Sequence, residues 1–216
     1  MSLPLSVCMI VKNEEANIAN ALESIADIAS EIIVIDTGST DKTREVATGY
    51  GAKVYSFEWK NDFSAARNES LKYATQDWIL IMDADHVFEE RSKLILPEYL
   101  NNKGTALYYI QILEIKEKYQ HPLILLFRNN LGIHFSDNVH EQVVFNKKTM
   151  KISFSELYFL HFDMSERTIE KGKRNRELIF KSVEKISDET EKILRYDIFL
   201  FKENLFDKSL NNDLLE

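Results

Sequence analysis

The chain has 216 residues, 44% of them hydrophobic and 29% charged, with six Gly and three Pro. That composition excludes a disordered chain and leaves little room for long linkers, so it fits one sizeable α/β domain with a small appendage. A formal net charge of −8 argues against nucleic acid as a partner, because phosphate-backbone affinity comes mainly from Lys and Arg.

The first half alternates strand and helix signals. An apolar strand is predicted over 5–11, then a polar turn at Asn13-Glu14-Glu15. Cys8, the only cysteine, lies inside that strand, so it reads as an inert core residue and no disulfide framework exists. Helical spacing follows over 17–28 through Ile18, Ala21, Leu22 and Ile25. A second strand over 31–35 ends at Asp36. Thr37-Gly38-Ser39-Thr40-Asp41 then turns into a helix that runs to about residue 50, with Ser39 or Thr40 as its N-cap and Gly51 closing it. A third strand is predicted over 53–57, a helix over 63–74 and a fourth strand over 78–82. This βαβαβ order predicts a Rossmann-like, mostly parallel sheet flanked by helices, with ligands bound beyond the carboxyl ends of the strands.

The second half reads as strands over 105–115, 122–128, 143–145 and 157–162, with turns at 117–121 and 129–132. A long helix is predicted over 167–186 with a basic start (Lys171, Lys173, Arg174, Arg176), and a further helix over 193–205 with an aromatic face. The expected division is a main domain over 1–165, with a nucleotide-binding half (1–90) and an acceptor half (91–165), and a C-terminal helical segment over 166–216.

Asp83-Ala84-Asp85 closes the apolar run Trp78-Ile79-Leu80-Ile81-Met82. Two carboxylates at a strand end repel one another, and partial burial adds to the cost of ionising them. A divalent cation relieves both problems, and hard oxygen ligands suit Mg2+ or Mn2+, whose further task is to neutralise a phosphate. Asp36 either caps the next helix or accepts a hydrogen bond from a nucleobase imide or a ribose hydroxyl. Arg67, on an otherwise small and apolar helix, is either a surface residue or a planar cation reaching a diphosphate or base. His86 reads as a metal ligand, a sugar contact or an exposed loop residue, with a place behind the ligands or on the acceptor side preferred. In Val139-His140-Glu141-Gln142, Glu141 is the candidate general base and His140 the second choice; the alternative is an edge-strand carboxylate in solvent. His161, at a strand end, is either a core histidine or a third ligand for Mn2+. The basic start of the 167–186 helix is either a solvated face or a source of phosphate contacts.

With these residues in view, the chain resembles the family 2 glycosyltransferases of the GT-A fold. The resemblance is carried by Leu5-Ser6-Val7-Cys8-Met9-Ile10-Val11-Lys12-Asn13-Glu14-Glu15, Ile33-Val34-Ile35-Asp36-Thr37-Gly38-Ser39-Thr40-Asp41, Ala66-Arg67-Asn68 and Asp83-Ala84-Asp85, which come in the family's order. Leu126-Phe127-Arg128-Asn129, Val139-His140-Glu141, His161 and Lys173-Arg174-Asn175-Arg176 resemble a bacterial subgroup of lipopolysaccharide-core glucosyltransferases and peptide S-glycosyltransferases. The resemblance implies that Val11, Glu14, Asp36 and Arg67 hold a nucleotide, uridine by preference. It implies that Asp85 binds the metal, that Asp83 contacts ribose or the metal's water shell, and that Glu141 is the catalytic carboxylate. Relatives often carry Asp-Ala-Asp-Glu; here His86 stands in the last place.

The expected function is therefore a Mn2+- or Mg2+-dependent glycosyltransferase. It would move a sugar from a nucleotide-diphosphate donor, a UDP-sugar, to a saccharide, lipid-linked or peptide acceptor with inversion, in cell-surface polysaccharide or lipopolysaccharide synthesis. The alternative is a catalytically degenerate domain that binds a nucleotide-sugar or a partner protein. A dehalogenase-type phosphatase fits less well, because its Asp-x-Asp-x-Val signature closes the first strand rather than a later one. No signal peptide and no apolar run of membrane-span length is visible, so the expected location is cytoplasmic, with room for a peripheral contact at the inner face of a membrane.

Overall fold

The computed structural model describes residues 2–115 and 119–162. Apolar side chains cover both faces of β1 (Leu5–Val11), which is buried almost end to end. It takes a parallel neighbour on each side, β2 (Glu31–Asp36) and β4 (Trp78–Ile81). Strands covered on both faces read as continuous apolar runs, which is why these three stand out in the sequence. β3 (Lys53–Ser56) extends the parallel set beyond β2. Three short helices make the connections: α1 (Ile18–Glu23), α2 (Thr43–Gly49) and α3 (Phe63–Leu71).

Past β4 the chain forms β5 (His86–Phe88), α4 (Glu90–Asn101), β6 (Leu107–Glu114) and β7 (Tyr119–Arg128). It ends, within the described residues, with β8 (His134–Ser136), β9 (Gln142–Val144) and β10 (Ile152–His161). The eight-stranded sheet has the order β3-β2-β1-β4-β7-β6-β10-β5, and β8 and β9 form a separate ribbon. β6 and β10 pair in parallel, while β4/β7, β6/β7 and β5/β10 are antiparallel. The expected α/β class, a mostly parallel sheet flanked by helices, is what the chain adopts. Trp78, Tyr108, Phe88, Phe127 and Phe159 are the largest side chains fully buried in its core. Among the described residues no helix is long and apolar enough to cross a membrane.

Several local expectations need correction. The first helix is regular only to Glu23, not to residue 28. There the Ser24 hydroxyl donates to the carbonyl of Ala21 (2.7 Å) and accepts the Phe88 N–H (3.0 Å). A serine that finds backbone partners in this way competes with the helical ladder. Neither Ser39 nor Thr40 caps α2, which begins after Lys42 with no side-chain cap. Ser39 Oγ instead accepts the Asn13 N–H (2.9 Å), and the Thr40 N–H donates to Asn13 Oδ1 (2.7 Å), so these groups stitch the loops after β1 and β2 together. The helix over 63–74 is regular only to Leu71. β10 is longer than expected, starting at Ile152, with a register shift between Phe154 and Tyr158. β5, β8 and α4 have no counterpart in the sequence reading; Pro97 inside α4 reads as a helix breaker. The two predicted C-terminal helices and the basic Lys171–Arg176 stretch lie outside the described residues.

Cys8 is buried, and burial pushes its thiol up to about 12, consistent with an inert core residue. At the opposite, amino edge of the parallel strands sits a buried carboxylate, Glu31. It accepts from Ser6 Oγ (2.7 Å), the Thr75 N–H (2.6 Å), Thr75 Oγ1 (2.9 Å) and Lys53 Nζ (3.0 Å). One side chain thus ties β1, β2, β3 and the approach to β4. Burial alone would raise its pKa, but these bonds outweigh it and hold the carboxyl at about 2, against an ordinary 4.5.

A depressed folded-state pKa contributes stability that is complete above the unfolded value and is lost as pH falls through the folded one. Glu31→Gln is therefore expected to cost about 2 kcal/mol in urea unfolding near neutral pH. It should also flatten the decline in stability between pH 4.5 and about 2 that Glu31 gives the wild type. An unchanged acid limb in the variant would show that other carboxylates govern it.

Candidate active site

The carboxyl ends of the parallel strands open onto a cleft of about 310 Å³. Val11, Lys12 and Glu14 line it from β1 and its turn, Asp83 and Asp85 from the end of β4, and His140 and Glu141 from the loop before β9. The in-register pairing of Val11 with Asp36 puts the ends of β1 and β2 side by side. Asp36 is buried, and its carboxylate accepts the Ser39 N–H (3.1 Å) and a hydrogen bond from Arg44 Nη1 (3.0 Å). Asp36 neither caps α2 nor lines the cleft; its neighbour Thr37 forms that part of the wall.

Arg67 is the central cation. It lies on α3, whose start is fixed by Asp62 accepting the Ala65 N–H (2.9 Å). The Arg67 side chain is only 10% exposed, which excludes the surface reading. Its Nε donates to Glu141 Oε1 and its Nη2 to Asp83 Oδ1, both at 2.8 Å. Its buried Nη1 has no hydrogen-bond partner among the described residues. Burial works against the charge, but Asp83 and Glu141 outweigh it and raise the guanidinium pKa further. For Asp83, partial enclosure opposes ionisation while Arg67 holds the carboxyl below the ordinary carboxylate range.

The loop that brings Glu141 to Arg67 is held by the start of α3. Ser64 Oγ donates to the Asp137 carbonyl (2.5 Å), and the Phe63 N–H to the Asn138 carbonyl (2.9 Å). Asp137 and His140 both adopt left-handed backbone, with φ of 75° and 56°, a conformation that costs most side chains energy. Asn68 brackets the Phe135 backbone, donating to its carbonyl and accepting its N–H, each at 2.8 Å. In Ala66-Arg67-Asn68, the Asn is therefore a structural clamp for β8 beside the buried Arg.

A second cluster adjoins the first. Asp85, His86 and His161 offer ligand atoms that all lie within 4.8 Å of one another. The antiparallel pairing of β5 with β10 sets His86 directly opposite His161. His86 is buried, stacked on Phe159, and its Nδ1 has no hydrogen-bond partner among the described residues. Burial holds its pKa below the ordinary imidazole value despite Asp83 and Asp85 nearby. His86 is thus not an exposed loop residue; its ring nitrogen lies within reach of Asp85 and His161. His161 Nε2 lies 3.4 Å from Asp85 Oδ2, and its Nδ1 is hydrogen-bonded to Glu114 Oε2. Burial would lower the His161 pKa, but Asp85 and Glu114 outweigh it and push it up to about 10. Two imidazoles and a carboxylate with a buried, unpartnered ring nitrogen fit a divalent transition ion. That donor set suits Mn2+ better than Mg2+, which prefers oxygen. Glu114 escaped the sequence reading, since nothing in the strand Leu107–Glu114 marks its last residue as facing His161.

Residues 6–166 match the profile of glycosyl transferase family 2. The chain is 31% identical over 193 residues to the SPbeta prophage-derived glycosyltransferase SunS of Bacillus subtilis, covering 80% of this chain and 43% of SunS. It is 41% identical over 148 residues to a TPR repeat-containing protein of Synechococcus elongatus, covering 64% of this chain and 35% of that protein. Among solved structures it is similar to S. aureus TarS 1-349, with 16% identity and a TM-score of 0.57, over 89% of this chain and 68% of that one. The chain belongs to glycosyl transferase family 2, and its fold is the GT-A fold expected from the sequence. It spans less than half the length of the SunS and Synechococcus relatives.

The ion-pair geometry makes the first test of the site energetic. Arg67→Met should destabilise by about 3 kcal/mol, because two carboxylates are left without their cation, and Glu141→Gln by about 1 kcal/mol. The double variant should fall short of additivity by about 1–2 kcal/mol in urea unfolding. Additive losses would mean that the Arg67–Glu141 contact contributes nothing to the folded state.

Proposed function

We propose that this family 2 chain is the catalytic domain of a glycosyltransferase that moves a sugar from a UDP-sugar donor to a hydroxyl- or thiol-bearing acceptor, with inversion. The observation that carries the reading is the convergence, at one cleft, of Asp85 with His86 and His161 clustered behind it, a buried guanidinium with an unpartnered nitrogen, and a carboxylate beside it. Membership of the family and the glycosyltransferase name of SunS support the same class. Uridine is the nucleotide that the resemblance of the first 90 residues implies.

Asp85, His86 and His161 would hold a divalent cation, Mn2+ or Mg2+, whose chemistry is to neutralise the charge of the departing diphosphate. Val11, Glu14 and Thr37 would form the wall for the nucleoside, with Asp36 fixing the loop beneath through Ser39 and Arg44. Arg67 Nη1 would donate to a phosphate oxygen, which gives that buried N–H the partner it lacks. Asp83, with 41% of its side chain exposed and one oxygen taken by Arg67, would contact a ribose hydroxyl. Glu141 would take the proton of the acceptor as its oxygen or sulfur bonds to the anomeric carbon and the carbon–oxygen bond to the diphosphate breaks. Arg67 holds one oxygen of that carboxylate and so fixes its direction. His140, in strained backbone at the cleft mouth, would contact the acceptor, a saccharide, lipid-linked saccharide or peptide.

Calorimetric titration with UDP, with and without Mn2+, tests the donor site without a guess about sugar or acceptor. Binding is expected to strengthen at least tenfold with Mn2+, and Asp85→Ala should abolish that gain. If UDP, GDP and dTDP all fail to bind in either condition, the donor-site reading falls.

A further inference from the structure

Glu114 stands outside every role assigned so far, yet it is buried and touches the cation cluster. It closes β6, and the parallel register of β6 with β10 places it directly beside His161. One of its oxygens is hydrogen-bonded to His161 Nδ1, and the other lies 3.8 Å from His121 Nδ1 on β7. A carboxylate facing a ring nitrogen on one side fixes which nitrogen of that ring faces the other way. His161 Nε2 points to Asp85 Oδ2 at 3.4 Å, on the cleft side. The line Glu114–His161–Asp85 therefore runs from the buried end of β6 to the site.

We propose that Glu114 is a positioning residue for the cation site: it accepts the Nδ1–H of His161 and so aims Nε2 at the ion. The inference rests on the divalent-cation reading of Asp85, His86 and His161. The burial of Glu114 supports it, since a carboxylate at 9% exposure is costly unless it is hydrogen-bonded. The strand geometry supports it too. The β6/β10 register that presents Glu114 to His161 and the β5/β10 register that presents His86 to His161 are both fixed by backbone pairing, so the ring is held from two sides. Placing Glu114 behind the ring rather than in the cluster lets it direct the imidazole without adding a second full charge to the ligand set.

The test is Mn2+ binding to the full chain, followed by electron paramagnetic resonance of free and bound ion, in wild type, Glu114→Gln and Glu114→Leu. Gln keeps a hydrogen-bond acceptor and Leu keeps only the volume. Affinity is expected to fall about tenfold in the first and up to about a hundredfold in the second. At saturating Mn2+, the imidazole-nitrogen coupling in the pulsed spectrum should weaken in Glu114→Leu as it does in His161→Ala, while far-ultraviolet dichroism stays that of the wild type. Folded variants with wild-type affinity and wild-type nitrogen coupling would overturn the role of Glu114 alone. Wild-type protein that binds no Mn2+, with or without UDP, would overturn the cation site and this inference together. Should Glu114→Leu fail to fold, Glu114→Gln decides: an undiminished affinity there overturns the proposal.

Discussion

A guanidinium taken out of water has to be met by opposite charge, and the site is arranged around that requirement at Arg67. The cost of burying an unpaired ion is several kcal/mol, and the Coulomb gain offsets it only with good geometry. Arg67 meets the condition with two charge-assisted bonds to partners from different parts of the chain, Asp83 after β4 and Glu141 before β9. Neither partner is near Arg67 in sequence, so the three segments take up their places together. The arrangement still leaves the trio with a net negative charge and one N–H unpaired. A diphosphate approaching such a trio meets two carboxylates, which repel it. The adjoining Asp85, His86 and His161 could hold a metal ion, which is why the proposed function puts the cation there.

The parallel strands give the molecule two edges with different tasks. At the amino edge, Glu31 is fully satisfied by four donors, and its work is structural: it ties neighbouring strands and the approach to β4. At the carboxyl edge, polar groups are left incompletely satisfied, with Arg67 Nη1 and His86 Nδ1 both buried and unpartnered among the described residues. Buried polar atoms without partners are expensive and few in native proteins, so their concentration at one end of the sheet marks where a ligand would complete the bonding. The strained backbone at Asp137 and His140 lies at the same end, held there by the first turn of α3.

The parts legible in the sequence share one physical property: their environment is uniform along the element. β1, β2 and β4 are covered on both faces, so a bare apolar run identifies them within a residue. The Asp83-Ala84-Asp85 triplet was legible because it interrupts such a run. What escaped was set by partners distant in sequence. β5 has three residues and exists because β10 pairs with it. α4 carries Pro97 in its interior and an exposed Leu94, both of which blur an amphipathic pattern. Ser39, Thr40 and Asn68 carry side chains common at caps and turns, and their actual partners lie 26, 27 and 67 residues away. Nothing in the sequence marks Glu114; only the register of β6 against β10 shows what it faces.

The question that the sequence alone left open, His86 in a place where the family resemblance implies an acid, is met by the same electrostatics. Position 86 is buried, directly after the carboxylates of Asp83 and Asp85 and beside His161, which meets Asp85 and one further carboxylate, Glu114. A further carboxylate there would add desolvation cost and like-charge repulsion at once. A neutral imidazole contributes a nitrogen donor with neither penalty, and burial keeps the His86 pKa below its ordinary value, which favours that neutral form. The consequence reaches the ligand. A divalent cation held by one carboxylate and two imidazoles keeps about one net positive charge, whereas two carboxylates would cancel it. Under the proposed function, that residual charge would face a cleft already lined by Arg67, where a departing diphosphate would be neutralised.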